Sequence, residues 1–248
     1  MTLLVFSSFV WAKETLTYDA SGSGAWYPYS IVKDDGTVEG VLPDVVDYVL
    51  NAAGLEGQQV NFPAKRTQRI FDSGLIDFDF TSPAWLPADK DTTGFTFSDP
   101  IMPIREHIIY LKGTTLPSGI LTEQQRNKPN IGVVRGYLFH DEHMFHRVDF
   151  RSEKEIVQAL LFNRIRWGIS GDLTALYWAR ELGAKLTLGP VHSDAQLHIR
   201  IQKDKAYLLP RINDAISMLK QSGRLQQILD RYSTKAVAEL APDTSAKH

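Results

Sequence analysis

"GFTFSDPIMPIREHIIYLKG", residues 94–113, joins two textures. An aromatic and polar stretch, Phe95 to Pro100, runs into a strongly β-forming run, His107-Ile108-Ile109-Tyr110-Leu111. Pro100 and Pro103 stand just before that run. Proline fixes φ and biases the residue before it toward extended backbone. Punctuation of this kind, with folded-looking text on either side, is expected where a chain crosses from one lobe to another as a defined, extended segment.

The text before the crossing reads as βαβα. Leu16 to Tyr18 is a strand, followed by a glycine-rich loop carrying Trp26, Tyr27 and Tyr29. Asp35-Gly36 is a turn signal. Val45, Val46, Val49, Leu50 and Ala53 recur at helical spacing, and Gly54 suits the residue after a helix end. "QQVNF" reads as a short strand, "AKRTQRIFDSG" as a short helix, and "LIDFDFTS" alternates as a strand does.

The text after it repeats that layout. Gly113 to Lys128 reads as a linker or loop with a short helix, and "NIGVVRGY" as a strand. Ser152 and Glu155 have capping-box spacing ahead of Ile156, Ala159 and Leu160. "RWGISGD" is a strand, "DLTALYWARELG" a helix, "LHIRIQKD" a strand, and residues 208–232 two helices broken at Gly223. Two βαβα runs predict parallel sheets covered by helices, with ligands outside the carboxyl ends of the strands. Those ends are 20–29, 81–85, 135–137 and 171–172.

The totals exclude several classes. The chain has 248 residues, 43% hydrophobic and 23% charged, with net charge -2. That near-neutral balance gives no nucleic-acid footprint and no basic membrane patch. Without cysteine there are no disulfides, thiolate metal sites or cysteine nucleophiles. The apolar opening, Met1 to Trp11, with Val10 and Ala12 placed as small cleavage-site residues, resembles the core of a secretory signal. It lacks a positive n-region, which fits a start upstream of Met1. It is far shorter than the roughly 20 residues that span a bilayer.

The ordered set "WYPY" (26–29), "DGTVEGVLPDVV", Gly74 to Asp77, "FSDP", "IGVVRG", Asp172 and "SGRLQQILDRY" resembles the family 3 extracellular solute-binding proteins. These are the amino-acid type that serves ABC transporters. The resemblance covers about Leu16 to Tyr232. It implies an α/β, two-lobed type II periplasmic binding-protein fold with a hinged ligand cleft. Residues 13–101 and 200–235 would form one lobe, 102–199 the other, 1–12 the remnant of a signal peptide and 236–248 a frayed tail. It also implies a periplasmic, monomeric carrier that hands a small polar, amino-acid-like solute to an inner-membrane permease, with no cofactor and no covalent chemistry.

The resemblance carries site residues with it. Trp26 aligns with a ligand-stacking aromatic; otherwise it is a loop aromatic packed on its own lobe. Asp172 aligns with the carboxylate that holds a ligand amino group, and it also suits the N-cap of a helix over 173–182. Thr81 and Ser82 lie where the family offers hydroxyl and backbone contacts. One departure is plain: the arginine that clamps the ligand carboxylate is missing from "WLPADKDTTGFTFSD". Lysine and arginine are not equivalent at a bidentate site. Either Lys90 substitutes, or Arg66 or Arg135 holds the anion, or the ligand is not an ordinary amino acid.

"FHDEHMFHRVDF" gathers His140, His143 and His146 beside Asp141 and Glu142. Their spacing shares no helix face and matches no structural zinc pattern, so a solvated surface helix is expected rather than a metal site. No nucleophile elbow, P-loop or dinucleotide fingerprint is present. An enzyme on the same fold, similar to cyclohexadienyl dehydratase, would need a second cleft acid beside Asp172, with Asp19 one candidate. A ligand-sensing module is the third reading.

Overall fold

The structure is a computed structural model that describes residues 13–20, 26–33, 35–60, 67–86, 89–122, 127–137, 139 and 141–238. The expected signal remnant therefore lies outside the described residues.

The strands are β1 (Thr15–Tyr18), β2 (Ile31–Val32), β3 (Val38–Glu39), β4 (Glu56–Gln59), β5 (Phe78–Thr81) and β6 (Phe95–Phe97) in the first half. They continue as β7 (Met102–Leu111), β8 (Asn130–Val134), β9 (His146–Phe150), β10 (Trp167–Gly171) and β11 (Leu186–Gln202). The helices are α1 (Val41–Ala52), α2 (Thr67–Asp72), α3 (Glu153–Leu161), α4 (Asp172–Glu181), α5 (Leu209–Gln221) and α6 (Arg224–Ala238). The last helix thus continues past residue 236, where the sequence suggests a frayed tail.

Nine strands form one hydrogen-bonded sheet, β4-β1-β5-β11-β7-β10-β8-β9, with β6 added on β11. As the βαβα pattern predicts, β1 runs parallel to β4 and β5, and β8 runs parallel to β9 and β10. The two parallel groups are joined through antiparallel β11 and β7. From Leu186 to Leu197, β11 pairs with β7; from His198 to Gln202 it pairs with β5 and β6. The change of partner between Leu197 and His198 separates two lobes along one continuous strand.

Each lobe has its own core. In the first, α1 buries Val41, Leu42, Val45, Val46, Val49 and Leu50 against Leu16, Phe78, Ile199 and the α5 side chains Ile212, Ile216 and Leu219. Each such side chain contributes roughly 1.5–3 kcal/mol relative to exposure. In the second, Ile156, Val157 and Leu160 of α3 pack with Ala175 and Trp178 of α4 on Ile109. Ser152 caps α3, its Oγ accepting from the Glu155 N–H at 3.5 Å. The Glu155 carboxylate accepts not from Ser152 but from the Arg151 N–H at 2.9 Å.

The segment flagged by its prolines runs extended into β7. The Asp99 N–H donates to Asn213 Oδ1 of α5 at 2.9 Å, and Lys220 Nζ donates to the Pro100 carbonyl. Helix α5 thus holds the start of the crossing.

Two sequence readings are corrected. "FHDEHMFHRVDF" is not a surface helix: Glu142–Met144 is one 3₁₀ turn and His146–Phe150 is the edge strand β9. Backbone pairing with β8 along all five residues overrides the polar composition. Strand β11 is also far longer than "LHIRIQKD", because Gly189-Pro190 and irregular register between Leu188 and Ser193 break its alternation.

Candidate ligand-binding site

The lobe-one wall is the loop after β1. The Ser30 N–H bonds back to the Trp26 carbonyl at 2.9 Å, closing a tight turn. The first N–H groups of α1 have no partner within the helix and reach this turn instead. Val41 N donates to the Pro28 carbonyl at 3.2 Å and Leu42 N to the Tyr29 carbonyl at 2.9 Å. Gly40 permits the approach: its φ is +136°, and a Cβ there would lie 2.6 Å from the Tyr29 carbonyl oxygen. The Trp26 ring centroid is 5.4 Å from Tyr29 and 6.0 Å from Trp85, which meets it edge-on. Trp85 ends a 3₁₀ turn (Pro83–Trp85) capped by Ser82, whose Oγ accepts from the Ala84 N–H at 3.3 Å.

The candidate wall on the other lobe is the start of α4. Asp172 is its first residue, and Gly171, not Asp172, occupies the N-cap. Asp172 Oδ1 accepts from the Leu173 N–H at 2.6 Å, and its charge sits at the positive end of the helix dipole. Helix α4 spans the seam: Leu173 packs on the lobe-one core and α4 touches α6. Burial raises the Tyr29 phenol's pKa, and the Asp172 charge raises it further. In the opposite sense, Tyr27 leaves lobe one to pack on Trp178 (5.0 Å) and Tyr177 (5.7 Å).

Trp26 and Ser82 thus belong to the lobe-one wall, and Asp172 opens the helix that crosses the seam. Thr81 is next to it, at the carboxyl end of β5 opposite His198. Lys90 points elsewhere, to Asp72 at 3.1 Å. Arg135 is exposed just beyond β8, acting electrostatically on Glu155. Arg66 lies outside the described residues. Of the three histidines, His143 and His146 are exposed on the turn and β9, and His140 lies outside the described residues. Among the described residues no group of three His, Asp or Glu could hold a metal ion.

The family profile of the bacterial extracellular solute-binding proteins, family 3, matches residues 20–235. The chain belongs to that family. Solved structures similar to this solute-binding protein share its fold. One is an arginine-, lysine-, histidine-binding protein from the thermophilic bacterium Geobacillus stearothermophilus, 19% identical, TM-score 0.66, covering 89% of this chain and 95% of that one. Another is an ancestral amino-acid-binding protein described as a precursor of cyclohexadienyl dehydratase, 18% identical, TM-score 0.68, covering 88% and 94%. A third is a histidine kinase sensor domain, 14% identical, TM-score 0.71, covering 89% and 96%. Among curated proteins, none matches in sequence.

The solute-binding protein also contains polar groups that its sequence did not single out. Glu106 of β7 is the register partner of Gly171, immediately before Asp172. Its Oε2 accepts from Ser193 Oγ at 2.5 Å and lies 3.7 Å from His192 Nδ1; His192 Nε2 is 2.9 Å from Asp141 Oδ1. Burial opposes the charge on His192, but the bond to Asp141 and the nearby Glu106 carboxylate outweigh it and push the imidazole up to about 9. Glu153, at the first turn of α3, is 3% exposed, and its Oε2 has no hydrogen-bond partner. Burial, reinforced by the charge of Glu106, pushes its carboxyl up to about 8, although a backbone bond and Tyr137 pull the other way.

In lobe one, Arg200 is 1% exposed and bonds Asp79 through Nε at 2.9 Å and through Nη2, with Phe71 4.0 Å from its guanidinium carbon. In "LHIRIQ" the arginine falls on the polar phase of an alternating strand. That phase reads as solvent-facing unless the acidic register partner on β5 is known.

Proposed function

We propose that this protein captures a small polar solute related to the amino acids between its lobes and presents it to an inner-membrane ABC permease. The observation that supports this best is the opposition of Trp26 and Tyr29 on one lobe to Asp172 on the other. An aromatic face and a carboxylate are complementary to a positively charged nitrogen. Residues 13–101 with 200–235, and 102–199, are the bodies that move. The hinge is the pair of segments around 99–104 and 197–202, where β11 changes partner and α5 grips the crossing chain. Closure brings Asp172 toward the lobe-one turn and excludes water, which strengthens each charge-assisted bond.

The same reading places the mature protein in the periplasm, with residues 1–12 removed as a signal. It acts there as a monomer and binds without transforming its solute.

A thermal-shift screen of amino acids and related amines tests this. A true ligand at 100-fold its Kd stabilises by about 2.7 kcal/mol. If no small solute shifts the transition, capture is not what the cleft does. N-terminal sequencing of exported protein tests the location; a mature chain still carrying Met1 to Ala12 removes the signal.

A further inference from the structure

The change of partner in β11 leaves one titratable side chain at the joint between the two bodies. Leu197 is the last residue paired with β7, and His198 is the first paired with β5. Its partner there is Thr81, the last residue of β5. Residues directly opposite in an antiparallel pair share a face of the sheet, so Thr81 and His198 stand side by side. Strand β6 flanks β11 as well and also runs antiparallel to it, ending at Phe97. Both β5 and β6 therefore point their carboxyl ends toward His198. Strand β1 is parallel to β5, and the turn carrying Trp26 follows it on the same edge. Sheets of this kind bind their ligands at the carboxyl ends of strands.

The imidazole is tied at one nitrogen. Nδ1 lies 2.8 Å from the Ser98 carbonyl oxygen. A carbonyl only accepts, so Nδ1 carries the hydrogen and donates. The neutral ring then has its lone pair on Nε2, which is an acceptor. Phe97 meets the ring edge-on at 5.9 Å. Ser98 is itself fixed: its N–H donates to the Ile199 carbonyl at 2.9 Å, and its Oγ accepts from the Ile199 N–H at 3.0 Å. These contacts clamp the ring to lobe one and set its orientation. Among the described residues none bonds Nε2, and His198 is half-buried rather than sealed.

A histidine that only braced the crossing chain would need Nδ1 alone. The clamped ring also presents a second, oriented acceptor at the edge where the sheet receives its ligand. We infer that His198 is a solute-contacting residue on the floor of the cleft, its Nε2 accepting a hydrogen bond from an N–H or O–H group of the solute. This rests on the solute-capture reading above and adds a contact made at the joint itself.

Two substitutions separate contact from bracing. Asparagine puts its polar end near the position of Nδ1 and keeps the bond to Ser98. Glutamine reaches the position of Nε2 and keeps an acceptor there. The probes are the standard amino acids with the amines agmatine and putrescine, titrated calorimetrically into the intact chain at neutral pH. For the probe that binds the unaltered chain most tightly, His198→Asn is expected to weaken binding roughly tenfold or more, with its melting temperature kept, and His198→Gln to stay within about threefold. In the unaltered chain, the Nε2 nitrogen resonance of His198 should move as that probe is added to saturation. Wild-type affinity in His198→Asn overturns the inference and leaves solute capture standing. So does an Nε2 resonance that stays in place, a result that does not depend on any variant folding. If no probe binds the unaltered chain, the capture reading fails and this inference falls with it.

Discussion

The Tyr29 phenol feels the Asp172 carboxylate of the other lobe: burial raises its pKa most, and the charge of Asp172 raises it further. A residue three positions after the indole of Trp26 therefore senses the first residue of α4, some 140 residues later in the chain. Trp26→Ala and Asp172→Ala are each expected to weaken binding of the amine or amino acid identified by titration by tenfold or more, about 1.4 kcal/mol. Unchanged affinity in both variants would move the site elsewhere.

Gly40→Ala tests how that wall is held. The added methyl would meet the Tyr29 and Pro28 carbonyls at 2.6 and 2.8 Å, in a backbone conformation that L side chains rarely adopt. The variant is expected to lose about 1–3 kcal/mol of stability in urea denaturation. It should also lose solute affinity, since relief of the clash shifts the turn carrying Trp26. Wild-type stability would show that the turn is not seated on α1 as described.

Glu153 gives a pH prediction with a definite sign. Its carboxyl is raised from 4.5 to about 8 in the folded chain, so between those values the folded state keeps a proton that the unfolded state has released. Stability therefore falls as pH rises through that window, by at most about 1.4 kcal/mol per pH unit. His192, raised from 6.5 to about 9, contributes stability that is complete below 6.5 and lost as pH rises through 9. Glu153→Gln should flatten the decline between pH 5 and 8 and leave the decline between 7 and 9. A melting-temperature profile across pH 5–9 checks it; an unchanged slope below pH 7 contradicts the assignment.

Arg200→Leu should cost about 3–5 kcal/mol, because it leaves Asp79 buried without its partner. The double variant Asp79→Leu/Arg200→Leu should recover most of that loss in chemical denaturation. Equal destabilisation of the single and double variants would show that the pair packs rather than neutralises.

What was legible in the sequence follows from which interactions are local. The α1 stripe, the Gly223 break, the Ser152 cap and the proline-marked crossing all depend on residues within a few positions of one another, and their signals survive without the fold. Trp26 and Asp172 came from a family pattern rather than from any local signal. The buried groups were invisible for the opposite reason. Arg200 is explained only by Asp79, Glu106 only by Ser193 and Gly171, and His192 only by Asp141. Each partner is at least fifty residues away, so each polar letter reads as surface until the register is known. Strand β9 was missed because its pairing with β8, not its composition, makes it a strand.

Strand β11 belongs to both bodies at once: residues 186–197 complete one sheet group and 198–202 the other. The handover falls at one peptide bond, Leu197–His198, so each body keeps the part of β11 that its own strands pair with. A tilt of one body on the other can be absorbed at that joint without breaking a ladder inside either.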